Sequence, residues 1–121
     1  MKTLALWSIL VALPTLSLAE MPQHTEVCVA ATDKDIAALF DRWNESLKTG
    51  DPYKVVANYA PKSVLLATVS SKPRFTVDEK ADYFHHFLQN QPDGRIDSRT
   101  IELDCNLAID EGLYSFTFRG C

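Results

Sequence analysis

From Arg99 to Phe118 the chain alternates apolar and polar side chains almost without a break. Such alternation places one set of side chains on each face of a β-sheet. Ile101, Leu103, Cys105, Leu107 and Ile109 fall on one side, and Thr100, Glu102, Asp104 and Asn106 on the other. Asp110-Glu111-Gly112 has hairpin length with a glycine at its end. Leu113, Ser115 and Thr117 then alternate with Tyr114, Phe116 and Phe118. The pattern predicts a strand over Arg99 to Ile109, a turn at 110–112 and a second strand over Leu113 to Phe118. Two long half-apolar strands need a second layer to cover one face. A strand such as 113–118 also needs a neighbour on each side, and one of the two is expected to be absent from this sequence.

The covering layer is legible upstream. In "TDKDIAALFDRWNESLKTG", Thr32 followed by Asp35 forms a capping-box-like start. Ile36, Leu39, Phe40, Trp43 and Leu47 recur at helical spacing, and Gly50 supplies a stop. A second helix opens at Asp51-Pro52, presents Val55, Val56 and Tyr59, and ends at Pro61. Ser63 to Val69 is an apolar run of strand length, followed by a loop through Arg74. A third helix begins at the Thr76/Glu79 capping box. Its stripe is Val77, Ala81, Phe84 and Leu88, with Tyr83 and Phe87 beside it. Pro92-Asp93-Gly94 reads as a turn. The order is helix, helix, strand, helix, strand, strand, an α+β arrangement.

The first residues read as an address. Lys2, the apolar run Leu4 to Leu13, Pro14 and the small-x-small Ser17-Leu18-Ala19 have signal-peptide order, with cleavage expected after Ala19. The apolar run is about half the ~20 residues a membrane span needs. Residues 1–19 are therefore set apart, residues 20–31 read as a lead-in, and residues 32–121 as one domain. No membrane contact is expected after signal cleavage. The formal net charge is −4 with no basic cluster, so nucleic acid is not an expected partner. The cysteines are Cys28, Cys105 and Cys121, an odd number in an oxidising compartment. They lack the spacing of a zinc site, and no metal or cofactor motif is found.

The wording of the sequence adds to this reading. "IAALFDRWNESLKTGDPYKVVANYAPKSVLLATVSSKPR", "YFHHFL" and "RTIELDCNLAIDEGLYSFTF" resemble bacterial secreted proteins grouped with the association domain of calcium/calmodulin-dependent protein kinase II, the SgcJ/EcaC family. The resemblance runs from about Thr32 to Phe118. It implies an NTF2-like cone, with three helices packed on a curved antiparallel sheet. It also implies that the last two strands are missing from this chain, so that 32–121 is an incomplete domain. It further implies a Cys28–Cys105 disulfide with Cys121 left over, and a homodimer formed through the sheet. In the chain-entropy account such a disulfide stabilises by about 3–4 kcal/mol.

NTF2-like domains hold a pocket between the first helix and the concave sheet. The resemblance places Trp43 and Tyr59 near it, with Arg74 and Tyr83 at its mouth as small-molecule ligand-binding residues. A guanidinium there can take a carboxylate side-on. The plainer readings are a solvated loop for Arg74 and a core position for Trp43. His85 and His86 are neighbours on a helix, point about 100° apart and do not chelate together. Asp104 and Asn106 lie either on a polar pocket floor or on the solvent face of their strand. Asn44-Glu45-Ser46 is a glycosylation sequon inside a helix.

Three functions follow as expectations. The first is a secreted pocket and oligomerisation module without catalysis. The second is an enzyme of the ketosteroid-isomerase or polyketide-cyclase (SnoaL-like) type. It needs a carboxylate–phenol pair with opposed pKa values, and Asp104 and Tyr83 are the nearest to one. The third is a truncated product without function.

Overall fold

The computed structural model describes residues 26–120. Residues 1–19, read as a signal peptide, the first part of the lead-in and Cys121 lie outside the described residues. Helix α1 spans Asp33–Leu47, α2 Pro52–Val56 and α3 Val77–Phe87. A 3₁₀ turn over Leu88–Asn90 leads into strands β1, Pro92–Leu103, and β2, Ala108–Phe118, which pair antiparallel. Among the described residues the sheet has two strands.

The helix starts follow local chemistry. Asp35 N donates to Thr32 Oγ1 while Asp35 Oδ2 accepts from Thr32 N, closing the capping box of α1. Thr76 and Glu79 do the same for α3. Asp51 caps α2 through Tyr53 N, with Pro52 in its first turn. Helix α2 stops at Val56, earlier than the sequence suggests, so Tyr59 sits in the turn that follows. Leu47, Val55, Val56, Ala81, Phe84, Phe87 and Leu88 form the core together with Tyr83, and Phe116 of β2 packs against it.

Three sequence-based expectations are corrected. Ser63 to Val69 is not a strand. Its only ladder contact among the described residues is the Leu65–Arg74 bridge, with both N–H···O distances 2.9 Å. Leu66 stays 77% exposed. No described strand lies alongside to extend that single pair. Pro92-Asp93-Gly94 is not a turn. Gln91, in the left-handed region at φ 48°, makes the reversal, and Pro92 opens β1, a position where its missing N–H costs little.

The hairpin also reverses in a different place. The turn is Asp104 to Leu107, where Asp104 N donates to Leu107 O at 2.8 Å and Asp104 Oδ1 accepts from Cys105 N at 2.7 Å. Asp110-Glu111-Gly112 lies within β2, opposite Ile101, Thr100 and Arg99 in that order. Gly112 marks close approach, not a turn. A Cβ there would stand 1.9 Å from Ser98 O, beside the register shift between Ile96 and Ser98. Asp104 and Asn106 are therefore turn residues and not a polar pocket floor.

The hairpin is tied to the helices at both ends of α1. Asn44 Nδ2 donates to Asp93 Oδ1 and Gly94 O, both at 3.0 Å, and Gly94 N returns a bond to Asn44 Oδ1 at 2.7 Å. At the other end Cys28 and Cys105 form a disulfide. Val29 N donates to Cys105 O at 3.1 Å, and Asn106 Nδ2 to Glu26 Oε1 at 2.8 Å. The lead-in is thereby fastened to the hairpin tip just before α1 begins.

Candidate functional site

Because α1 is held to the hairpin at its ends, a cleft of about 700 Å³ remains between its apolar stripe and the inner face of β2. Leu39, Phe40 and Trp43 line it from α1, Phe84 and Phe87 from α3, and Tyr114 and Phe116 from β2. Leu65 to Thr68 form a further wall, and Thr68 Oγ1 meets Tyr114 Oη at 2.8 Å. The stripe that predicts a buried helix is in large part a cleft wall. Only Leu47 of α1 is buried, and Leu39 is exposed.

Trp43 and Tyr59 both line the cleft and touch one another. Trp43 Nε1 donates to Tyr59 Oη at 3.0 Å. The indole lies 6.3 Å from the Phe84 ring and 6.1 Å from that of Phe116, measured between centroids. Trp43 thus belongs at once to the core's edge and to the cleft. Burial pushes the Tyr59 phenol up to about 12, against the opposing effect of the Trp43 hydrogen bond. Tyr59 Oη accepts from the indole and keeps its own proton to donate into the cleft.

The cleft lining also carries charge. Arg42 Nε donates to Asn58 Oδ1 at 3.0 Å. Arg99 grips Asp110 side-on across the strands, Nε to Oδ1 at 2.9 Å and Nη2 to Oδ2 at 3.0 Å. Both belong to residues that line the cleft, as does Glu111. The sequence reading did not single out these groups. The Arg99–Asp110 pair runs diagonally across the strands, Arg99 standing opposite Gly112 and Asp110 opposite Ile101, and is visible only once the register is known.

Tyr83 lines this cleft and also a second cavity, of about 530 Å³, and Arg74 lines the second alone. The four sequence-nominated residues therefore divide between two hollows, with Tyr83 facing both. Arg74 is not a solvated loop residue: its side chain is 16% exposed. Its Nη1 donates to Asp82 Oδ2 at 3.1 Å and to Glu79 O at 3.3 Å, and its guanidinium carbon lies 5.9 Å from the Tyr83 ring centre. Burial raises the Tyr83 phenol above its ordinary value. His85 and His86 are both exposed, and His86 Nε2 stands 3.9 Å from Asp82 Oδ1. Asp104 lines neither hollow, so it does not face Tyr83 across a pocket.

Lys80 was missed by the sequence reading. It is 1% exposed, and its Nζ donates to Ser63 O at 2.7 Å and Phe75 O at 2.9 Å. It thus holds the two ends of the segment whose Leu65 to Thr68 stretch forms the cleft's further wall. Its place one position before Ala81 in the apolar stripe was the available signal.

The calcium/calmodulin dependent protein kinase II association domain family matches residues 32–120, and the chain belongs to it. A solved structure described as such an association domain, from Xanthomonas campestris, shares 44% sequence identity and superposes with a TM-score of 0.70. The similarity covers 74% of this chain and 64% of that one, so this chain spans less than two thirds of its relative. No curated protein matches. The fold is accordingly α+β and NTF2-like.

Proposed function

We propose that this chain is a secreted, non-catalytic NTF2-like module of the SgcJ/EcaC type, which self-associates through its sheet and binds a small, largely apolar ligand in the α1–β2 cleft. The cleft carries this reading. It is walled largely by aromatic and aliphatic side chains, and its neutral polar groups include Tyr59 Oη, held by Trp43, and the Thr68–Tyr114 hydroxyl pair. Such a composition fits the usual small-molecule site, mostly apolar with a few placed polar groups. Catalysis of the isomerase or cyclase type needs a group poised near neutrality. The Tyr59 and Tyr83 phenols are both raised above their ordinary values by burial, away from neutrality, and Asp110 is tied to Arg99.

A neutral fluorescent probe, N-phenyl-1-naphthylamine, tests the cleft. Saturable binding that quenches Trp43 emission and weakens in Leu39→Lys supports the reading. Unchanged affinity in that variant overturns it. For self-association, Leu113 and Ile109 on the outer side of β2 supply apolar contact. Sedimentation equilibrium should show dimer, and a monomer at all concentrations would remove this part of the proposal. Mass spectrometry of the exported protein checks the address, with Glu20 as the expected first residue.

A further inference from the structure

The two strands of the hairpin treat their outer edges differently. The edge of β1 is managed. The strand opens on Pro92, carries the extra residue Asp97 at the register shift, and includes Asp93, Arg95, Arg99 and Glu102. Asn44 also occupies both backbone groups of Gly94. Proline, charge and irregularity of this kind keep a strand edge from recruiting another strand. The edge of β2 has none of these devices from Gly112 to Phe118. That stretch is regular, uncharged, free of proline and rich in aromatic side chains, the composition that favours strand pairing. Beyond β1, no described residue hydrogen-bonds to the backbone of β2.

The ends of the stretch carry opposite charges. Glu111 precedes it and Arg119 follows it. Among the described residues Glu111 forms no ion pair, and Arg119, whose side chain is 68% exposed, meets Asp93 at 3.6 Å. An antiparallel copy of the same strand reverses the order of these ends. Aligned about Ser115, Glu111 of each copy faces Arg119 of the other, so symmetry makes the ion pair twice. Residues opposed in this alignment share a sheet face, because their numbers differ by an even count. Tyr114 then stands opposite Phe116, and Phe118 covers Gly112, both favourable cross-strand pairs. Sliding one copy by two positions, so that Tyr114 faces itself, loses both ion pairs.

We propose that the open edge of β2 is an interaction edge whose partner is β2 of a second copy, paired antiparallel about Ser115 with Glu111 opposite Arg119. The two hairpins then form one continuous sheet, joined at its centre by main-chain hydrogen bonds. This pairing rests on the self-association proposed above. It differs from a dimer packed through the outer faces of the hairpins at Ile109 and Leu113.

Cross-linking and charge exchange in the full chain test the edge. Cys121→Ser keeps the Cys28–Cys105 disulfide and removes the third cysteine. In that background Ser115→Cys should form an intermolecular disulfide under copper phenanthroline, and Leu113→Cys should not. Sedimentation equilibrium gives the dimer constant. Glu111→Arg and Arg119→Glu should each weaken the dimer about tenfold, since each turns both attractive pairs repulsive, and the double exchange should restore it. Circular dichroism checks the fold of each variant. Where a charge variant does not fold, the cross-linking contrast decides. Preferential cross-linking at position 113 would overturn edge pairing and leave self-association standing. So would a dimer constant that ignores both reversals or is not restored by the exchange. A wild-type chain that stays monomeric at all concentrations removes both.

Discussion

The helices and the hairpin solve the problem of burial differently. In the helical layer Phe84 is 1% exposed, and Val55, Phe87 and Leu88 are buried around it. In the hairpin Leu113 is 70% exposed, and Phe116 is the one residue of β2 that is half-buried. The helices cohere through packing. The hairpin coheres through its own ladder, and is joined to the rest by a few discrete ties: Asn44 to Gly94, Cys28 to Cys105, and the rings of Phe116 and Phe118 on Phe87. A cleft can persist between the two because neither collapses onto the other along its whole length.

The difference is broken most severely from the helical side. Phe84→Ala removes a ring in contact with Trp43, Tyr59, Tyr83 and Phe87. It should cost about 3–5 kcal/mol in chemical denaturation. Leu113→Ala, the matching truncation on the outer side of the hairpin, should stay within about 0.5 kcal/mol when measured at concentrations too low for self-association. Comparable losses at the two sites would mean that β2 is covered in solution by something that buries Leu113.

The next largest effect should come from the covalent tie. Cys28 and Cys105 are separated by 77 positions, so reduction or Cys105→Ser should cost up to about 4.5 kcal/mol in the chain-entropy account. Hydrogen exchange should quicken at the hairpin tip and at the start of α1, while amides of α3 keep their order of protection. Uniform loss of protection would show that the disulfide supports the helical core as well. A smaller effect is expected from Lys80→Met, which keeps the buried stem but leaves Ser63 O and Phe75 O without their donor. Losing charge-assisted bonds is offset in part by no longer burying an ammonium, for a net cost of about 2 kcal/mol. The cleft probe should weaken as well, because the segment Lys80 holds is a cleft wall.

These contrasts explain what the sequence did and did not reveal. Helix starts were legible because a capping box is written within four residues, as at Thr32–Asp35 and Thr76–Glu79. The hairpin's existence was legible from alternation, but not its reversal, because alternation continues through both strands. Gly112 drew the turn to itself, although its role is to let β2 approach Ser98. The true turn depends on Asp104 and on the distant Cys28, which no local pattern joins. The family resemblance implied Trp43 and Tyr59 near a pocket, but not the hydrogen bond between them. The split of Arg74 from that pair, its Asp82 partner and the Arg99–Asp110 fork arise from tertiary placement alone.

The smallest expected effect lies at the seam between the two regions, at Tyr59. Its phenol is raised to about 12, first by burial, with the Trp43 hydrogen bond acting in the opposite direction. An unfolded tyrosine titrates near 10. A group whose folded pKa is raised stabilises fully below its unfolded value. That contribution is lost as pH climbs from about 10 toward 12. Tyr59→Phe removes the acceptor of Trp43 Nε1 and should cost about 1 kcal/mol at neutral pH. It should also flatten the alkaline decline in stability. Phenolate absorbance at 295 nm, taken as wild type minus Tyr59→Phe while circular dichroism shows both folded, should give one step near the high value. A step near pH 10 instead would mean that water fills the cleft around the hydroxyl. The aromatic walls would then shield Tyr59 no better than the open hairpin shields Leu113, and the contrast between the two regions would end at the core and not extend into the site.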